Sequence, residues 1–154
     1  MKQLNKLLPR RHARLFSQTI RTIRGRGARL NVRLGGKMGP ISGDPLDLEC
    51  TVVRARKNVL QHFPGAAGSI GDPASLRVGG IDIIVASARN QVRSPDVFTE
   101  LGKDPTSKEI IVVKSKNHFR AEYGKIAAGF LYLSADGGLS TRMLMPSSGY
   151  RRRR

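Results

Sequence analysis

The sequence predicts a mixed α/β domain. Short strands with alternating apolar residues occupy its first half, continuous apolar strands alternate with helical stretches in its second, and glycine and proline mark the joints. A basic amino-terminal arm precedes this body and a basic tail follows it.

The arm, residues 1–29, could form a basic amphipathic helix with Leu4, Leu7, Leu8, Leu15 and Ile20 as a rough apolar face, interrupted by Pro9. A solvated, weakly ordered arm, a nucleic-acid arm, a membrane-surface helix and a transit peptide all suit this composition. From Arg29 to Leu34 the pattern alternates, placing Leu30, Val32 and Leu34 on one face of a strand. Gly35 and Gly36 break it, and Pro40, Gly43 and Pro45 mark a loop. Alternation resumes over Leu46 to Val53, with Leu46, Leu48, Cys50 and Val52 on one face. Residues 61–73 read as a glycine-rich connector without a phosphate-loop pattern. Ala74 to Val78 and Ile81 to Ala86 are strands joined by Gly79 and Gly80. Ser94, Pro95 and Asp96 open a helix that runs to about Leu101 and stops at Gly102. Ile110 to Val113 is a third apolar strand, Asn117 to Ala127 a helix and Phe130 to Leu133 a final strand. This strand-helix-strand-helix-strand run argues for parallel pairing with helices as crossovers.

Composition narrows the function classes. The chain has 154 residues, 39% of them hydrophobic, which is enough for one domain with a core. Cys50 stands alone, so no disulfide framework exists within the chain, and its apolar neighbours mark it as a core residue. There is no run of about 20 apolar residues to span a membrane and no secretory signal, so the expected compartment is the cytoplasm. The net charge of +17 points first to nucleic acid. Its distribution weakens that reading: residues 1–33 hold ten basic groups and no acidic one, residues 151–154 are all Arg, and residues 34–150 hold 14 basic against 11 acidic residues.

One cluster carries chemistry. Lys114, Ser115, Lys116, Asn117, His118, Phe119 and Arg120 bridge the third apolar strand and its helix. In parallel α/β sheets ligands bind beyond the carboxyl ends of strands, where a helix start offers free N–H groups. Ser115 or Asn117 suits an N-cap, while Lys114, His118 and Arg120 suit donors to an anionic group or oxyanion. The same residues also suit a capped helix with a solvated basic first turn. A zinc set is missing: His12 lies in the arm, His62 in the connector and His118 in the cluster, with no His-Glu-x-x-His or paired-cysteine spacing. Ser115 has no Gly-x-Ser-x-Gly elbow around it.

Leu34-Gly-Gly-Lys37, Gly43-Asp-Pro45, Val78-Gly-Gly-Ile-Asp-Ile-Ile-Val85, Phe98-Thr-Glu-Leu-Gly-Lys-Asp-Pro105 and especially Lys114-Ser-Lys-Asn-His-Phe-Arg-Ala121 resemble the carboxy-terminal domain of microcystinase-type zinc metallopeptidases over about residues 30–140. The resemblance implies that full-length relatives hydrolyse peptide or amide bonds with zinc held by a larger amino-terminal domain, and that this chain has no cofactor of its own. It divides the chain into the arm at 1–29, the family domain at 30–145 and a basic tail at 146–154. It places Lys114, Ser115, His118 and Arg120 at an interdomain cleft as substrate or structural contacts, with no catalytic residue and no metal ligand here. The expectation is a detached or truncated domain with altered ends, catalytically incomplete alone. Its expected partners are a separate zinc-binding amino-terminal domain or a second copy, and a peptide substrate in full-length relatives. The rival expectation is a small nucleic-acid-binding protein that uses its Arg-rich ends. A third is a non-functional remnant whose uncovered interface makes it associate.

Overall fold

The computed structural model describes residues 26–36, 43–115 and 117–133. The bulk of the basic arm and the whole tail at 146–154 lie outside these residues. Among the described residues six strands run in chain order: β1 (Arg29–Leu34), β2 (Leu46–Ala55), β3 (Val59–Phe63), β4 (Ala66–Gly71), β5 (Ala74–Val78) and β6 (Ile81–Val85). Two single-turn helices come next, α1 (Asp96–Thr99) and α2 (Arg120–Tyr123), with a 3-10 turn at Pro105–Ser107 between them. The architecture is thus mostly sheet with a few short helices, a mixed α/β fold in the broad sense.

The first, second, fifth and sixth strands form one sheet in the order β1-β2-β5-β6, and β3 and β4 form a separate hairpin. Alternation built β1 and β2 as predicted, and the apolar runs of β5 and β6 built the other two. In β1, Val32 and Leu34 are buried and Arg29, Asn31 and Arg33 point away from the core, while Cys50 and Val52 face inward from β2. These four pack with Ala74, Leu76, Ile83 and Val85 into a core on one face of the sheet. Burying each such Leu, Ile or Val contributes about 1.5–3 kcal/mol. The opposite face carries a second core, in which Ile84 meets Val59 and Ile70 of the hairpin and Val97, Phe98, Leu101, Phe119 and Tyr123 of the helical segments.

Three expectations are corrected. Residues 61–73 are not a plain connector, because most of them belong to β3 and β4, joined by the two residues Pro64 and Gly65. The glycines hid this hairpin, yet Gly68 is there for close approach: a Cβ on it would stand 2.8 Å from Asn90 Nδ2. The pairing is antiparallel in every strand pair among the described residues, not parallel. A parallel return needs a crossover of a dozen or more residues that packs back on the sheet, and these helices are four residues each. Finally, 110–113 and 130–133 join no ladder. Ile111 and Val113 pack against the second core without regular secondary structure, and Ile110 is exposed.

The end of α1 is the joint that aims the next segment. Gly102 takes φ +68°, Lys103 N–H donates to Phe98 O at 3.0 Å and Gly102 N–H to Thr99 O at 2.9 Å, a glycine-closed helix end. The predicted stop at Gly102 therefore stands, and the turn directs Lys103 back toward the sheet. Among the described residues no helix is long and apolar enough to cross a membrane.

Candidate functional site

Two polar groupings stand out, and only one was named from the sequence. The first surrounds α2. Phe119 is buried and makes edge contacts with Tyr123 and Phe130, at 6.3 and 5.6 Å between ring centroids, and a tilted contact with Tyr132 at 6.1 Å. Tyr123 Oη in turn donates to Ser94 O at 3.1 Å. Burial above all, with the charge of Asp96, pushes the Tyr123 phenol far above its ordinary range. This aromatic knot ties the turn to the loop that leads into α1.

The predicted residues distribute around the knot unevenly. His118 is exposed, with Nδ1 2.9 Å from Gln91 Oε1. Arg120 is exposed and lays its guanidinium 5.4 Å from the centre of the Phe130 ring, a cation-π contact rather than an open anion clamp. Ser115 Oγ is buried without a hydrogen-bond partner, and Lys114 is exposed. Neither Ser115 nor Asn117 caps the turn: its N-cap is Phe119, without a side-chain cap bond. Among the described residues no hydrogen bond or ion pair joins Lys114, Ser115, His118 and Arg120 to one another.

Sequence reasoning missed what holds His118 in place. Gln61, on β3, is fully buried; its Nε2 donates to Gln91 O at 2.6 Å, and its Oε1 accepts from Arg93 N at 2.8 Å and Ser94 N at 3.4 Å. The signal was available in Val59-Leu-Gln-His-Phe63, where alternation turns Val59 and Gln61 inward and so buries an amide that must find partners. Beside it, Arg93 stacks its guanidinium 4.6 Å from the Phe63 ring centre. On the outer side of β3, His62 engages Asp96 twice, through its backbone N–H at 2.6 Å and Nδ1 at 3.1 Å.

The second grouping gathers two of the motif segments. Asp82, in Val78–Val85, and Lys103, in Phe98–Pro105, meet at 2.8 Å with side chains 8% and 9% exposed. Arg77, the cross-strand neighbour of Asp82, donates to the same oxygen at 3.1 Å, and Lys108 stands 3.3 Å from the other. Burial raises the Asp82 pKa, but the bonds from Lys103 and Arg77 and the Lys103 charge outweigh it and hold the carboxyl at about 2. Three cations thus share one carboxylate beside a small recess lined by Phe98, Pro105, Ile110 and Ile111. The grouping is a structural clamp between β6 and the end of α1.

The His, Cys, Asp and Glu side chains of the described residues lie dispersed. Among them no group of three or more His, Cys, Asp or Glu gathers to hold an ion. His62 is engaged by Asp96, His118 by Gln91, and Cys50 is buried in the sheet, where desolvation pushes its thiol up. His12 lies outside the described residues. A zinc site needs about three such ligands together, so this donor set does not fit one.

Comparison with known proteins agrees with the motif segments. A family model described as MlrC C-terminus matches residues 19–150. Microcystinase C of Sphingomonas sp. is 34% identical over 118 residues, which are 77% of this chain and 23% of that protein. The chain therefore spans about a quarter of the length of this curated relative. A solved structure from Mesorhizobium sp. BNC1, provisionally described as a metallopeptidase, matches with a TM-score of 0.61 and 25% identity, over 72% of this chain and 24% of that one.

Proposed function

Because the chain belongs to the MlrC C-terminal family, we propose that it serves as the carboxy-terminal domain of a microcystinase-like zinc metallopeptidase and is catalytically incomplete alone. The zinc and its ligands come from a larger amino-terminal region, and the reaction of the whole is hydrolysis of a peptide or amide bond. The segment holding Lys114, Ser115, His118 and Arg120 faces the cleft between the two parts and contacts substrate or the neighbouring domain.

One observation carries this reading. Beside Phe119 and Arg120 lies Phe130-Leu-Tyr-Leu133, with Phe130 and Tyr132 turned onto Phe119 and Leu131 and Leu133 turned away, 84% and 79% exposed. Two leucines so bare are the kind of surface another domain covers. The family match includes this stretch, so it belongs to the domain itself. The nucleic-acid reading gains no support from the relatives, and most of the basic residues it relies on lie outside those described.

The test replaces the matching region of Microcystinase C by this chain and measures zinc content and hydrolysis of linear and cyclic peptides, beside this chain alone. The expected result is zinc-dependent turnover by the chimera, with neither stoichiometric zinc nor turnover by the chain alone. Turnover by the chain alone that is abolished in His118→Ala would overturn the proposal and assign a complete site between copies of this chain.

A further inference from the structure

We propose that Gln91 is a positioning residue that fixes neutral His118 with its proton on Nδ1, so that the Nε2 lone pair is presented as an acceptor for an N–H group of a bound peptide. The inference rests on the preceding reading, in which His118 faces the cleft, and it reverses the donor role that the sequence assigned to this imidazole.

The support is a chain of contacts that begins in the core. Gln61 cannot turn over, because one end of its amide donates to Gln91 O and the other accepts from the backbone of Arg93 and Ser94. Gln91 is held a second time, its N–H donating to Asn90 Oδ1 at 2.8 Å. Its side chain leaves from this held backbone, and Oε1 lies 2.9 Å from His118 Nδ1. An amide oxygen only accepts, so the ring nitrogen facing it donates. A neutral imidazole has one proton, and with that proton on Nδ1 the other nitrogen keeps its lone pair. The backbone of His118 is pinned from the far side as well, since Phe119 is locked in the aromatic knot and Arg120 N–H donates to Asn117 O at 3.1 Å. Nε2 has no hydrogen bond among the described residues, and His118 is exposed. An amide, unlike the carboxylate that faces His62, orients the ring without adding charge to the site.

The decisive experiment reads the tautomer directly, by two-bond proton–nitrogen correlation NMR on the full chain with labelled histidine, above neutral pH and without substrate or zinc. His118, identified by loss of its signals in His118→Asn, is expected to carry its proton on Nδ1, the tautomer that free histidine in water disfavours. Gln91→Leu is expected to return the proton to Nε2, and Gln91→Glu, which keeps an acceptor of the same shape, to leave it on Nδ1. A proton on Nε2 in the wild-type chain, or on Nδ1 in Gln91→Leu, would overturn the inference while leaving the family-domain reading intact. In the chimera, a peptide is expected to be cleaved with kcat/KM about five- to tenfold above its analogue N-methylated at the contacted amide, with that preference lost in Gln91→Leu. The absence of any such preference, with the tautomer as expected, would remove the peptide-facing role.

Discussion

Replacing Asp82 by Asn tests the clamp that two motif segments build. Asp82 and Lys103 are both more than nine-tenths buried at 2.8 Å, while Arg77 is half exposed and Lys108 about a quarter exposed. Removing one member of a buried pair leaves an uncompensated charge, at a cost of about 3–5 kcal/mol; the half-exposed Arg77 adds less than about 1 kcal/mol. Asp82→Asn is therefore expected to lose about 3–4 kcal/mol, read as a shift in the urea midpoint at unchanged slope. Lys103→Met should lose less, because Arg77 and Lys108 still face the carboxylate. The pH dependence supplies an independent check. The carboxyl ionises at about 2 when folded against an ordinary 3.8, so its stabilisation is complete above about pH 4 and disappears as pH falls through about 2. That acid limb carries about 2 kcal/mol in the wild-type chain and should be absent from Asp82→Asn. An Asp82→Asn chain within about 1 kcal/mol of wild type, or a Lys103→Met chain weaker than Asp82→Asn, would refute the reasoning.

Three further outcomes are expected. Gln61→Leu strands Gln91 O and the N–H groups of Arg93 and Ser94, and should cost about 2–4 kcal/mol in urea unfolding; a neutral result would mean that the loop finds other partners. Tyr123→Phe removes the bond to Ser94 O and should cost about 1–2 kcal/mol in the same assay. Because its folded pKa is raised, the wild-type phenol should not ionise in ultraviolet titration above its ordinary 10 until the chain unfolds, and stability should fall as pH rises beyond that value. Cys50, buried and with its thiol pushed up, should react with a thiol reagent only as fast as denaturant opens the sheet; rapid labelling of the native chain would contradict its burial.

What the sequence revealed and concealed divides along physical lines. β1 and β2 announce themselves by alternation, since one face of each meets a core, as Leu30-Asn-Val-Arg-Leu34 shows directly, while β6 is apolar but for Asp82 because both its faces meet a core. The run Ile110-Ile-Val-Val113 looks like a buried strand, yet only its packing against the second core is realised and it pairs with no neighbour among the described residues. Apolar content reports burial; it does not report hydrogen-bond partners. The hairpin at 59–71 was masked by glycines whose meaning depends on Asn90 and Phe63 packing over Gly68. At the candidate site, His118 and Arg120 were legible as candidates because their side-chain types and the start of the helical turn are local features. Gln91 and Gln61 were not, since contacts between residues 27 to 33 positions apart leave no periodic trace. Asp82 and Lys103 were legible as motif segments, but their pairing across 21 residues was not.

The buried amide of Gln61 also sets the tempo of a segment that has no secondary structure of its own. The amide protons of Arg93 and Ser94 end on a side chain rooted in β3. They become open to solvent exchange only when that side chain withdraws, which requires the hairpin to leave the second core. An irregular loop thereby inherits the protection of a strand pair, and the two should open as one cooperative unit with a single exchange free energy. The turn that carries His118 touches this unit through Gln91 and Tyr123. Its slowest exchange is therefore expected to share the opening free energy of that hairpin, far earlier in the chain.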